Sequence, residues 1–377
     1  MKAAVNIARV LVGAVFIFSG LVKAIDPLGL AYKMQEFFEV WANSGYLKGL
    51  MMWLNDYALW FSLLMITLEV ILGVALLLGW RTKIVSWLLL LLMLFFTFLT
   101  SFVLFSGKIR ACGCFGDCIP LTPVQTFTKD IVLLVLVLLI LFWRRKISPL
   151  FSPLISSAFV LIALLAVAGL QWYVLDHLPV KDCLPFKPGN DILALRKMPK
   201  DAVPDKYDYV FVYKKNGQEK EFRVDALPDS SWQFAERKQV LLQKGKNNIP
   251  LINDFVLSTV SGDDSTEAVL STQGEYYLLF VKDISLFAKD WVEDQRVAVV
   301  LTERGKQVYL VTAQRKPAEE RYGSLAIAGR KLNIPLLTLD VTSLKTAARN
   351  NITLYLMNGP VIKNKWGGND ILKALDN

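Results

Sequence analysis

The 377-residue sequence predicts two parts, an α-helical membrane bundle of five spans and then a soluble α/β domain. Three observations carry this prediction. The segments 4–25, 57–80, 84–106, 125–143 and 150–173 each approach the roughly 20 apolar residues that cross a bilayer as helix. Charge is unevenly spread: 13 Lys and Arg and 7 Asp and Glu precede residue 176, against 29 and 26 from there on. Beyond about residue 250, short apolar strands alternate with helical stretches, the order of an α/β domain. The mean hydropathy of +0.41 therefore averages two unlike halves. The boundaries that follow are 1–146 for a four-helix membrane unit, 147–175 for a fifth span, 176–249 for a linker with a small β unit, and 250–377 for the main outer domain.

The first segment reads as a retained helix rather than a signal peptide. Lys23 and Asp26-Pro27 stand where a small-residue cleavage site would be expected. Basic residues mark the cytoplasmic side of a membrane protein. Lys2 and Arg9 open the chain, Arg81 and Lys83 fill the link between spans two and three, and Arg144-Arg145-Lys146 follows span four. With the N-terminus inside, segments 26–56 and 107–124 and everything after 175 face out. That predicts a bacterial inner-membrane protein with a periplasmic C-terminal domain. Six of the nine excess positive charges belong to the membrane half, and no basic patch is interleaved with aromatics, so nucleic acid is not a predicted partner. Segment 26–56 carries Leu30, Met34, Phe37, Phe38 and Trp41 at helical spacing, with Lys33, Glu36 and Glu39 between them. It reads as an amphipathic helix on the outer surface or capping the bundle, with packing on the outer domain as the alternative.

Cys112, Cys114 and Cys118 lie within seven residues, and Cys183 follows the last span. All four fall on the outer, oxidising side, where an even count reads as disulfides. Three connectivities are possible and spacing does not choose among them. Thiols this close can exchange a disulfide, and a C-x-C ring is small and labile. Equally, they can clamp segment 107–124 to 181–189. A metal would need Cys112, Cys114, Cys118 and either Cys183 or His177, but C-x-C-x3-C is not a usual zinc spacing, so no metal is predicted.

Two acids sit inside spans: Glu69 near the middle of span two and Asp130 one to two turns into span four. Ionisable groups in hydrocarbon face the bundle interior and mark function by default. The functional reading is a proton relay or a contact for a quinone. The alternative is a protonated Glu69 bonded to Ser62, Thr67, Ser86 or a backbone carbonyl.

Phe18-Ser19-Gly20-Leu21-Val22-Lys23 with Asp26-Pro27, and Leu68-Glu69-Val70-Ile71-Leu72-Gly73 with Leu78-Gly79, resemble the DoxX family. Cys112-Gly113-Cys114-Phe115-Gly116, then Leu121-Thr122-Pro123 and Asp130, is similar to its MauE (methylamine utilisation) branch, over about residues 1–145. The resemblance implies a four-helix plan shared with membrane thiol oxidoreductases of the vitamin K epoxide reductase type. It also implies a part in maturing a disulfide-rich periplasmic enzyme subunit, with Cys112 and Cys114 as the redox pair by position. The fifth span and the large outer domain depart from that family.

In the outer part, Asp182 to Gly189 is turn-rich and leaves the membrane as a linker. Residues 207–213 alternate as a strand, Asn216-Gly217 turns, and 219–224 returns. The main domain is then read as a strand at Asn253–Leu257, a strand at Tyr276–Val281, a helix over 285–304 and a strand at Val308–Ala313. A helix over 317–333, a strand at Pro335–Asp340, a helix over 342–350, a hairpin of Thr353–Met357 with Val361–Trp366, and a helix over 369–376 complete it. The ending Leu354 to Ile362 with Lys365-Trp366 resembles the thioredoxin C-terminal hairpin. The resemblance implies a C-x-x-C after the Tyr276–Val281 strand, but Lys282-Asp283-Ile284-Ser285 stands there, and Ile352 replaces the usual proline. A thioredoxin-like module lacking C-x-x-C is expected, binding a client or covering the membrane cysteines.

The expected function is envelope thiol–disulfide chemistry or maturation of exported proteins. Cys112 and Cys114 exchange with client thiols, Cys118 or Cys183 resolves, and electrons pass to a membrane quinone. The alternative is a non-catalytic assembly factor with structural disulfides. No P-loop, dinucleotide glycine motif or Ser/His/Asp constellation is present.

Overall fold

The computed structural model describes the chain except residues 46, 110–112, 114, 216, 244, 246, 285–290, 323–325, 328–329, 332–333 and 377; for 291–295, 321–322, 326–327 and 330–331 it describes the backbone alone. The membrane half is helical: α1 (Lys2–Ala24), α2 (Pro27–Asn43), α3 (Lys48–Asp56), α4 (Ala58–Leu78), α5 (Thr82–Ser106), α6 (Pro123–Trp143) and α7 (Pro153–Asp176). Five of these, α1 and α4 to α7, are long and apolar enough to span a bilayer. Their starts are written in the sequence. Asp26-Pro27, Thr122-Pro123 and Ser152-Pro153 each put a capping oxygen before a proline whose missing N–H is not needed. Gly79 ends α4 in the left-handed region, with φ 68°.

Small residues bring α1 and α4 together. A Cβ on Gly20 would lie 2.6 Å from Val70, one on Gly13 2.6 Å from Leu77, and one on Gly73 2.8 Å from Ile17 and 2.9 Å from the Gly13 carbonyl. Close backbone approach of this kind is how helices gain packing in lipid, where no hydrophobic drive exists between them. Arg9 is buried, donating from Nε to the Leu76 carbonyl at 2.9 Å and from Nη1 to the Ser148 carbonyl at 3.0 Å. It satisfies carbonyls at the C-terminus of α4, which helix geometry leaves open. The other faces, such as Ile7, Leu11, Leu91 and Phe98, are exposed apolar surface suited to lipid.

Helix α2 buries Leu30, Met34, Phe37 and Phe38 against the bundle, and Trp41 meets Phe98 and Phe102. It caps the bundle with that face and meets the outer domain with another, so both sequence alternatives hold. A second helix, α3, follows with Leu50, Met52 and Trp53 exposed.

Leu184, Phe186 and Ile192 pin the linker to the outer domain. β1 (Lys206–Lys215) pairs antiparallel with β2 (Gln218–Arg223) and, on its other side, with β3 (Gln233–Gln243). The sequence did not show β3. Every residue in it is exposed, so no inward face imposes alternation.

The main sheet contains β4 (Ser258–Thr259), β5 (Glu275–Val281), β6 (Gln307–Thr312), β9 (Leu336–Thr338), β10 (Ile352–Asn358) and β11 (Val361–Gly367), in the order β11-β10-β5-β6-β9-β4. Among the described residues, the helices that follow α7 are α8 (Ile192–Leu195), α9 (Thr266–Leu270), α10 (Trp291–Glu303), α11 (Arg315–Tyr322) and α12 (Val341–Ala347). β5, β6 and β9 run parallel, and β10 is antiparallel to β5 and β11. Tyr276 to Val281 are all buried because both faces of β5 are covered. Phe255, Leu344 and Tyr355 pack on one side, and Val297, Leu301 and Trp366 on the other. Three expectations are corrected. Asn253–Leu257 is not a strand; Phe255 and Leu257 fill the core, and the strand is Ser258–Thr259. The helix expected over 317–333 is Arg315–Tyr322, followed by a short pair, β7 (Ala326–Ile327) and β8 (Arg330–Lys331). The last helix is a 3-10 helix, Gly368–Asp376. Of the helix expected over 285–304, Trp291–Glu303 is described and is helical.

The α1–α4 contact makes a testable demand. Gly73→Leu forces side-chain volume into backbone and should cost about 1–3 kcal/mol or more, lowering the melting midpoint in detergent. Gly169→Leu on α7, where a Cβ meets nothing within 4 Å, should leave it unchanged. Equal midpoints for the two variants would show that α1 and α4 do not pack at this seam.

Candidate functional site around the cysteine segment

α5 ends at Gly107 and α6 begins after Thr122, and the segment between them carries three of the four cysteines. Cys112 and Cys114 lie outside the described residues. Their neighbours are described and held on three sides. A Cβ on Gly113, whose φ is 71°, would lie 3.3 Å from Lys33 Cγ, so the segment passes against α2. The Phe115 ring lies 5.9 Å from that of Phe18, and Lys129 Nζ stands 4.8 Å from its centroid. Asp117 accepts from Arg349 Nη2 at 2.6 Å. Cys118 is bonded to Cys183, 65 residues on. Any full pairing that includes this bond leaves Cys112 and Cys114 as the other two.

Above the segment lies a charge cluster that joins the two halves of the chain. Arg349 sits between α12 (Val341–Ala347) and β10, with its side chain 5% exposed. Its Nε donates to Asp26 at 2.7 Å, its Nη1 to the Lys345 carbonyl at 3.1 Å, and its guanidinium lies 5.5 Å from the Tyr32 ring centroid. Lys282 Nζ donates to Tyr32 Oη and to the Arg349 carbonyl, both at 2.8 Å. Lys345 reaches Gln35 of α2 at 2.9 Å, and Lys365 reaches Asp182 at 2.8 Å. Residues 282–285, where the thioredoxin resemblance placed C-x-x-C, thus begin with a lysine docked on the membrane half. Burial pulls the Arg349 pKa down, but Asp26 and Asp117 more than offset this and hold it above its ordinary value. Burial raises Asp26 despite Arg349, pushes Tyr32 up to about 12, and, with help from Arg349, brings Lys282 down to about 7.

Below the segment, two acid–lysine pairs face one cavity in the bundle. Lys23 pairs with Glu69, both fully buried, and Ser19 donates to Glu69 at 3.1 Å. Asp130 receives Lys129 at 2.7 Å and Thr100 Oγ1 at 3.1 Å. Val15, Phe16, Met93, Phe96 and Leu133 complete the walls. The partners expected for Glu69 are corrected: Ser62 donates to the Pro27 carbonyl, Ser86 to the Lys83 carbonyl, and Thr67 meets Gln171. The missed signal was Lys23 itself, since a charge buried in a span needs an opposite charge. The cavity is about 20 Å³, room for one or two waters. A quinone ring does not fit there. Among the described residues no cluster of His, Cys, Asp and Glu could hold a metal, and His177 stacks on Tyr173 at 4.2 Å.

The family description "Methylamine utilisation protein MauE" matches residues 1–144, and a domain of unknown function, DUF8463, matches 207–244, the three-stranded unit. Protein TlpB of Flavobacterium psychrophilum is 34% identical over 90 residues, 23% of this chain and 24% of that protein. The chain thus aligns with about a quarter of that relative's length. No solved structure matches.

Lys282 makes the junction pH-dependent. A lysine lowered to about 7 opposes docking fully below that pH, and the cost fades as pH rises toward the ordinary 10.5. Stability should therefore rise between pH 7 and about 10, before Tyr32 opposes it. Lys282→Met should flatten that rise, read as the melting midpoint across pH 7–9.5 in detergent. Parallel wild-type and variant curves would show that Lys282 is not the titrating group.

Proposed function

We propose that this membrane protein is a thiol–disulfide exchange factor of the bacterial cytoplasmic membrane that acts on exported proteins. Cys112 and Cys114 are its exchanging pair, and the outer domain is a thioredoxin-like module without C-x-x-C. The observation that carries this reading is the setting of Phe115, next in sequence to Cys114. Its ring lies over Lys129, which pairs with Asp130. A cation beside a thiol favours the thiolate, the reactive form. In the step proposed, a client thiolate attacks one sulfur of a Cys112–Cys114 disulfide and releases the other as thiolate. The client's second thiolate then attacks the mixed disulfide. Two electrons pass from the client dithiol to the pair, whose two thiols return to the disulfide by the same exchange with a more oxidising protein disulfide. Lys129 stabilises the leaving thiolate, and Asp130, which accepts from Thr100, holds Lys129 in place. Glu69, paired with Lys23, faces the same small cavity and takes the second place in a proton relay to the thiols. Cys118 and Cys183, joined to each other, hold the segment in place.

A second reading, a non-catalytic assembly factor, is favoured by that same Cys118–Cys183 bond and by the Lys282-Asp283-Ile284-Ser285 sequence where the thioredoxin resemblance placed reactive thiols. The two readings differ in one experiment. In Cys114→Ser the Cys112 thiolate should attack disulfides of exported proteins, releasing one client thiolate, and the mixed disulfides should accumulate for want of Cys114 to resolve them, seen as reductant-sensitive adducts on gels, without loss of the folded protein. If no single cysteine variant yields adducts, the assembly-factor reading stands instead.

The orientation is part of the same proposal. α2, the cysteine segment and the outer domain share one end of the bundle, opposite Arg81 and Arg144–Lys146. A reporter that works only in the periplasm, fused after Asn377, should be active. Activity only of a cytoplasmic reporter would invert the topology and place the cysteines in a reducing compartment.

A further inference from the structure

Between α2 and α12 lies a cleft of about 330 Å³, within the size range of pockets that hold ligands. We propose that it binds an extended, cysteine-bearing segment of an exported polypeptide and leads it to the exchange pair; this rests on the thiol-exchange reading above. Three cations, Lys33, Lys345 and Arg349, and three anions, Glu36, Glu39 and Asp117, line it. Several are already committed: Lys33 to Glu36, Arg349 to Asp117 and Lys345 to Gln35. The lining thus carries no net sign that would select a polyanion. It is also too polar for an acyl chain. What it offers is closely spaced donors and acceptors with one aromatic, Tyr32, and one aliphatic, Leu184. That chemistry suits the main chain and mixed side chains of a polypeptide.

Its position gives the cleft a use. Lys33, one of its walls, is the residue that a Cβ on Gly113 would meet at 3.3 Å, and Gly113 stands between Cys112 and Cys114 in the sequence. Asp117, another lining residue, precedes the bonded Cys118. The walls are fixed from both halves of the chain, so the cleft exists only while the outer domain is docked. The Arg349 cluster and the Cys118–Cys183 bond both hold that docking.

The test uses the full-length protein in detergent and a reduced, unstructured peptide with two cysteines as the probe. A photo-crosslinking p-benzoylphenylalanine in place of Glu39 should capture the peptide. It should do so equally in a Cys112→Ser/Cys114→Ser background, where exchange is impossible. Thr346→Trp fills the cleft from α12, and Thr342→Trp does so from the exposed first turn should the former fail to fold. Either should slow peptide exchange about tenfold, the loss of roughly 1.4 kcal/mol of binding, while iodoacetamide alkylation of the pair, once reduced, keeps its rate. Exchange at parental rate in both folded tryptophan variants, or no crosslink from position 39, overturns the proposal. Crosslinking without any exchange in the parent supports the cleft as a polypeptide site and overturns the thiol-exchange reading instead.

Discussion

The arrangement depends on Arg349. Its guanidinium is held between Asp26, which starts α2, and Asp117, which precedes the bonded cysteine, and it comes from the outer domain. One side chain thus ties the bundle cap, the cysteine segment and the soluble sheet at a single point. A buried pair is weak evidence for net stability, because two charges must be desolvated, but removing one partner strands the others at a cost of about 3–5 kcal/mol. The cluster therefore acts more as a specifier of one docked geometry than as a source of affinity. Each bonded cysteine also follows an aspartate that meets a lysine or arginine of the outer domain: Asp117 with Arg349, and Asp182 with Lys365. The outer domain so presents Cys118 and Cys183 to each other. In a free chain, closing a loop of 65 residues by a disulfide would contribute about 4 kcal/mol. Here two membrane spans already restrict that loop, so the bond's main effect is to fix position.

The residues that carry the family resemblance have a common physical role. Gly13, Gly20 and Gly73 let α1 and α4 approach, and Ser19, Lys23 and Glu69 lie along the same seam. The glycines permit the approach and the Lys23–Glu69 pair sets the register, since a one-turn slip would leave both charges unpaired in hydrocarbon. The signature thus reads as one helix–helix contact written on two helices. The second pair, Lys129 with Asp130, is of another kind. It lies beside Phe115 and connects the bundle interior to the cysteine segment.

What the sequence made legible followed from strong, local signals. The five spans fall within a few residues of the observed helices, because an unbroken apolar stretch bounded by Asp-Pro, Thr-Pro, Ser-Pro or Gly leaves little choice. Strands buried on both faces, such as Tyr276–Val281, were equally plain. β3 was invisible because nothing is buried behind it, and Asn253–Leu257 misled because core-filling residues outside a ladder have the same composition as a strand. At the site, the importance of the cysteines and of Glu69 and Asp130 could be read from residue type and place in a span. Their partners could not. The sequence around Lys23, Arg9 and Arg349 does not show their partners, because pairing across 46, 67 or 323 residues leaves no local trace.

The polar groups also form layers along the bundle axis, and the layering bears on how the two halves work together. At the end of the bundle that carries Arg81 and Arg144–Lys146, Arg9 donates to the Leu76 and Ser148 carbonyls. Nearer the cysteine segment, two acid–lysine pairs line one cavity with room for one or two waters. Above them, the Arg349 cluster seals the cap against the outer domain. The acid–lysine cavity, through Lys129 and Phe115, and the Arg349 cluster, through Asp117, thus both meet the cysteine segment, while Arg9 stands apart at the far end of the bundle.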